Sequence, residues 1–216
     1  MKKKIVSLAL VASLLALVIV GGTLAYFTDT ENATNTFVIG NVDITLTESS
    51  WTAPEAAVPG FTYAKNPVIT NTGTNDAYVR LKVTFDNYGD FVAAGVTDLR
   101  TMLQGVNTEV WTAIAEPAVS GDTVTYTYTY NTILVGSADP AAATAALFTG
   151  VQIPGTFDNA DMQTLRPSFN INVVAEAIQA EGFANVTTAF AAYDAQAATG
   201  SDMDGDAYLE EIVVTP

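Results

Sequence analysis

Histidine and cysteine are both absent from this 216-residue chain, and basic residues are scarce, with 8 Lys and Arg against 23 Asp and Glu. Each shortage closes off a class of chemistry. Zinc hydrolases hold their metal through histidine, often as His-Glu-x-x-His on one helix face, or through cysteine thiolates. Without either, carboxylates are the ligands left, and these suit calcium or magnesium. Ser-His-Asp and Cys-His nucleophilic sites are excluded by the same counts. A serine-lysine dyad has Lys65 and Lys82 available. Lys82 alternates outward on a strand and Lys65 lies in an Asn/Pro loop, so neither is expected to be desolvated enough to lose its proton. The sequence therefore reads as a non-enzyme.

Three of the basic residues, Lys2, Lys3 and Lys4, stand directly before an apolar run from Ile5 to Val20, which is followed by Gly21-Gly22 and Thr23-Leu24-Ala25. A basic start, a short apolar run and small residues form the pattern of a secretory signal peptide (residues 1–25), and the run is short for a membrane span. Cleavage is expected after Ala25 and before Tyr26, with Thr23 and Ala25 in the small-residue pockets of the peptidase. A lipoprotein signal would need a cysteine, and the C-terminal residues carry no sortase sorting pattern. Beyond residue 25 there remain 5 basic residues (Lys65, Arg80, Lys82, Arg100, Arg166) against 23 acidic ones, a net charge of −18. A phosphate backbone needs a cationic face, so nucleic acid is excluded as a partner. The reading is a secreted protein with no membrane attachment once processed; the alternative is an uncleaved membrane anchor, since Leu24 to Phe27 extends the apolar character. The lack of disulfides suits a Gram-positive exterior.

Alternation of period two dominates the rest. Val42, Ile44 and Leu46 alternate with Asn41, Asp43, Thr45 and Thr47. Val79, Leu81, Val83 and Phe85 alternate with Arg80, Lys82 and Thr84, and Val124, Tyr126, Tyr128 and Tyr130 alternate with threonines. These segments read as half-buried strands, and Phe169 to Val173 as a further one. Ser120-Gly121-Asp122 is turn chemistry, predicting a hairpin between Glu109–Ala115 and Thr123–Tyr130. Helix is expected over Ala184–Ala198, Pro140–Phe148 and Asp98–Leu103. The fold class is all-β, a jelly-roll-like antiparallel β-sandwich with a few short helices in loops and near the C-terminus.

Ala25-Tyr26-Phe27-Thr28-Asp29-Thr30-Glu31 and Asn35 to Leu46 resemble the cleavage and N-terminal region of the TasA/camelysin family. Lys65 to Gly73, Ala77 to Val83 and Phe169 to Phe183 are similar to later family blocks. The resemblance implies export through a SipW-type signal peptidase, a jelly-roll fold and a role as a subunit of extracellular biofilm fibres, with the chain itself as partner. Because some relatives are described as metalloproteases, it also brings a rival reading, which the missing histidines and cysteines oppose.

The residues by themselves are compatible with a fibre, and the resemblance is what favours it over a first strand that pairs within its own sandwich. A polar stretch, Tyr26 to Asn35, leads into the strand-forming Thr36 to Leu46, which either closes its own sandwich or fills an edge on a neighbour. Repeated head to tail, that contact builds a filament. The expected organisation is thus a possible donor segment over 26–47, with Val42, Ile44 and Leu46 as the subunit contact, and a sandwich over 48–216. The alternative is a monomeric cell-surface binding or adhesion module of the same fold. No cofactor is expected beyond weak calcium at Asp202, Asp204, Asp206 and Glu210, whose alternating carboxylates only partly match a calcium loop. Tyr63-Ala64-Lys65-Asn66 is similar to the pilin motif of sortase-built pili and is read as a loop. Trp51 and Trp111 are read as packing residues. Asn32-Ala33-Thr34 and Asn185-Val186-Thr187 are glycosylation sequons by pattern.

Overall fold

The computed structural model describes residues 41–52, 57–114, 116–165, 170–199 and 211–214. The chain divides into two compact units, Met1–Ile39 and Gly40–Pro216, and every described residue belongs to the second. Its strands are β1 (Ile44–Thr47), β2 (Thr62–Ala64), β3 (Val68–Asn71), β4 (Ala77–Phe85), β5 (Leu103–Gln104), β6 (Trp111–Ala113), β7 (Ala118–Ser120), β8 (Thr123–Tyr130), β9 (Gly150–Gln152), β10 (Ile171–Gln179) and β11 (Glu211–Val214). Among the described residues they are accompanied by the α-helices α1 (Tyr88–Ala93), α2 (Asn159–Thr164) and α3 (Val186–Thr199).

Among the described residues all strand pairings are antiparallel, in a six-stranded sheet of order β11-β10-β4-β8-β6 with β7 also paired to β8, a three-stranded sheet of order β2-β9-β5 and the pair β1-β3. Period-two alternation dictates this arrangement. Val79, Leu81, Val83 and Phe85 of β4 and Val124, Tyr126, Tyr128 and Tyr130 of β8 enter one apolar core. Val42 just before β1, Ile44 and Leu46 of β1, Ile69 of β3 and Val151 of β9 reach it too. The result is an all-β sandwich around one shared core. At the expected hairpin, β6 does pair with β8, but the strand beside the turn is β7. Ser120 faces Thr123 across Gly121-Asp122, and Gly121 takes φ 58°, which glycine adopts without strain.

Three expectations change. The Ala-rich Pro140–Phe148 segment is irregular rather than helical, with one antiparallel bridge from Ala143 to Thr70. Asn71 N donates to Ala142 O and Thr144 N to Ile69 O, both at 2.8 Å, so the segment supplies β3 with backbone partners. Leu147 and Phe148 plug the core, and tertiary demand overrides helix propensity. Asp98–Leu103 is a 3-10 turn, Leu99–Met102, opened by Asp98 accepting from Arg100 N. Arg80 points away from the main core, as its phase predicts, yet it is buried. Helix α3 covers that face with Phe190 and Tyr193, whose ring centres lie 4.3 and 4.9 Å from the guanidinium.

Candidate functional site

The first described strand sits in a seat built from residues 65–75. Antiparallel register sets Ile44 opposite Asn71, Thr45 opposite Thr70, Leu46 opposite Ile69 and Thr47 opposite Val68. Val42, Ile44 and Leu46, the three residues expected to form a subunit contact, are buried in the core of their own chain.

Both ends of β1 are clasped. At the start, Asn41 N donates to Thr74 Oγ1 at 2.9 Å, and Thr74 N and Asn75 N donate back to Asn41 O at 3.0 Å. Asp43 O accepts from Thr72 N at 2.8 Å and Gly73 N at 3.0 Å. This approach is so close that a Cβ on Gly73 would stand 2.5 Å from Asn41 O and 2.6 Å from Asp43 N. Glycine is therefore required there by space.

At the far end, alternation places a charge where the core continues. Glu48 follows Val42, Ile44 and Leu46 in the same inward phase, and its Oε2 lies 2.6 Å from Lys65 Nζ, with both side chains almost fully buried. The Lys65 ammonium also lies 4.7 Å from the centre of the Trp51 ring. A turn locks the arrangement: Trp51 N donates to Glu48 O at 3.0 Å, Ser50 N to Asn66 Oδ1 at 2.8 Å and Asn66 Nδ2 to Ser49 Oγ at 3.2 Å. Glu48 Oε1 and Trp51 Nε1 are buried with no hydrogen-bond partner among the described residues. Lys65 is thus not the open-loop lysine expected from its Asn/Pro surroundings. It is desolvated and tied to a carboxylate, so it is not presented as a pilin-type acceptor.

A second buried charge group holds α3. Arg80 donates through Nε to Glu176, and through Nη1 and Nη2 to Asp194 at 2.9 and 2.6 Å, while Lys82 Nζ also reaches Glu176. Burial works against the Arg80 charge, but the bonds to Asp194 and the nearby Glu176 charge raise its pKa. Those bonds in turn hold the Asp194 carboxyl below the ordinary carboxylate range. Sequence reasoning missed Glu48, Glu176 and Asp194. The signal for Glu48 was its inward phase at the end of a strand, where an unpaired charge is not tolerated.

Thr23, Ala25, Tyr26, Asp202, Asp204, Asp206 and Glu210 lie outside the described residues. Among the described residues no three His, Cys, Asp or Glu side chains gather as a metal site, and no helix is long and apolar enough to cross a membrane. Trp111 is core, its Nε1 donating to Ala145 O at 3.0 Å. Asn185 caps α3, its side chain accepting from Thr188 N.

Fold and site define an antiparallel β-sandwich protein whose first described strand is clasped at both ends. Residues 1–90, which contain β1 to β4 and the seat, match the model of the camelysin metallo-endopeptidase family. No curated protein matches the chain. The metal in the family's description does not fit the donor set, since the sequence has no histidine and no cysteine.

Proposed function

We propose that this chain is a secreted structural subunit of an extracellular matrix fibre, not an enzyme, assembling head to tail by exchange of its N-terminal strand. The observation that carries the reading is the seat of β1. A short strand near the start of the second unit fills the core with Val42, Ile44 and Leu46 and pairs with β3 in a defined register. In the exchanged form the same contacts are made by the β1 of a neighbouring copy, so the closed contact is the template for the junction. Backbone pairing supplies affinity and the alternate side chains supply register. The similarity of residues 1–90 to the camelysin family model supports a secreted role. Processing by a SipW-type peptidase after Ala25 would free Tyr26 as the mature terminus, and no cofactor is needed.

The monomeric binding module is the second reading, favoured by β1 being seated in its own chain. Ile44→Asp does not separate the two, because Ile44 is buried and the charge would unfold the closed and exchanged forms alike. Cysteines do, since the chain has none of its own. Thr45 and Thr70 face each other on the outer side of the ladder. Directly opposed residues lie within disulfide reach. Two single variants, Thr45→Cys and Thr70→Cys, mixed in equal amounts, should give interchain disulfides in oxidised fibres. Long fibres without that crosslink, or no fibres from the parent chain, would refute the strand-exchange reading.

A further inference from the structure

We propose that the buried Glu48–Lys65 ion pair selects the partner strand at the junction between two copies of this chain, setting both register and identity. The inference rests on the strand-exchange reading above: Glu48 leaves with β1, and Lys65 stays with the acceptor copy.

The pair is poorly explained by stability. Burying two charges forfeits their hydration, and a well-packed apolar pair in the same volume is commonly as stable or more so. Its polar groups are also incompletely satisfied, with Glu48 Oε1 and the neighbouring Trp51 Nε1 lacking hydrogen-bond partners among the described residues. What the pair does well is penalise errors. A one-residue slip turns Glu48 to the other face and strands the Lys65 ammonium in a dry seat. A two-residue slip carries the Glu48 carboxylate into the slot of Leu46, opposite Ile69, which is fully buried. An incoming strand from another protein with an apolar or basic residue at this position leaves Lys65 unpaired. Specificity of this kind comes from the cost of the wrong partner. Apolar side chains at Val42, Ile44 and Leu46 oppose a one-residue slip, but they discriminate weakly against a two-residue slip or another aliphatic strand, because one aliphatic residue is much like another. The second copy satisfies the seat because its own Glu48 carboxylate meets the Lys65 ammonium only when the whole register is correct.

The test is a charge exchange in the full processed chain. A double variant, Glu48→Lys with Lys65→Glu, restores the pair within each chain and between identical copies. It should fold and polymerise by itself. Mixed with parent chains under a second fluorescent label, it should place like charges at every mixed junction, and energy transfer between labels should show such junctions at least about tenfold rarer than random mixing gives. Random copolymers would overturn the proposal. If the double variant does not fold, Glu48→Gln serves instead. In fibres of Glu48→Gln, Thr45→Cys should crosslink to Thr72→Cys as well as to Thr70→Cys, reporting slipped strands, and crosslinking to position 70 alone would overturn the proposal. Loss of the Thr45 to Thr70 crosslink in parent fibres removes strand exchange itself. Random mixing with that crosslink intact removes only the role of the ion pair.

Discussion

Glu48, Lys65 and Gly73 are each forced by their neighbours. Truncating one member of a buried ion pair leaves the other charge without compensation, so Glu48→Ala should destabilise the closed chain by about 3–5 kcal/mol. Denaturant midpoints read this directly, and a loss under about 1 kcal/mol would mean that Lys65 finds another partner or reaches water. Gly73→Ala tests the other clasp. The obstacle there is the backbone of Asn41 and Asp43, not the tip of a flexible side chain, so the start of β1 must shift. Hydrogen exchange at Asp43 to Thr47 should accelerate in this variant while β8 stays protected.

At the scale of elements, β4 is central, pairing with β10 on one side and β8 on the other. Its two faces meet different partners: Val79, Leu81 and Val83 meet the main core, whereas Tyr78 and Arg80 meet α3 with Ile178 and Phe190. The α3 contact is titratable. Because the hydrogen bonds from Arg80 lower the Asp194 pKa in the fold, the bonus is complete above the ordinary carboxylate value, 3.8, and is lost as pH falls through the lower folded value. Asp194 is more than half exposed, which keeps the bonus small. Hydrogen exchange in α3, corrected for its intrinsic rate, should rise below about pH 4. Asp194→Asn should remove that pH dependence. Asp98, also lowered by its bond to Arg100, titrates in the same range, so a global melting curve would mix the two.

For the whole molecule, charge is decisive. Each described cation beyond the first 25 residues, Lys65, Arg80, Lys82 and Arg100, is engaged by a carboxylate of its own chain. These pairs leave the surplus of acidic residues uncompensated, and two copies repel at long range. The proposed assembly should therefore accelerate between about 10 and 150 mM NaCl, as the Debye length falls from roughly 30 to 8 Å. Light scattering would follow this, and slower growth in salt would contradict it. Junctions once formed should resist the same salt, because the Glu48–Lys65 contact is dry.

Local pattern alone determined the strands β4 and β8, the all-β class and the inward phase of Val42, Ile44 and Leu46, because a period of two is a property of neighbours along one chain. Composition determined the exclusion of histidine and cysteine chemistry. The non-helical course of Pro140–Phe148, the burial of Arg80 beneath α3 and the meeting of Glu48 with Lys65 were decided by tertiary structure. Each depends on a partner distant in sequence: Ile69 and Asn71 for Pro140–Phe148, Phe190 and Asp194 for Arg80, Glu48 for Lys65. A charged residue on a strand has the same local signature whether water or a counter-ion meets it, and only the packed fold supplies the side chain that does.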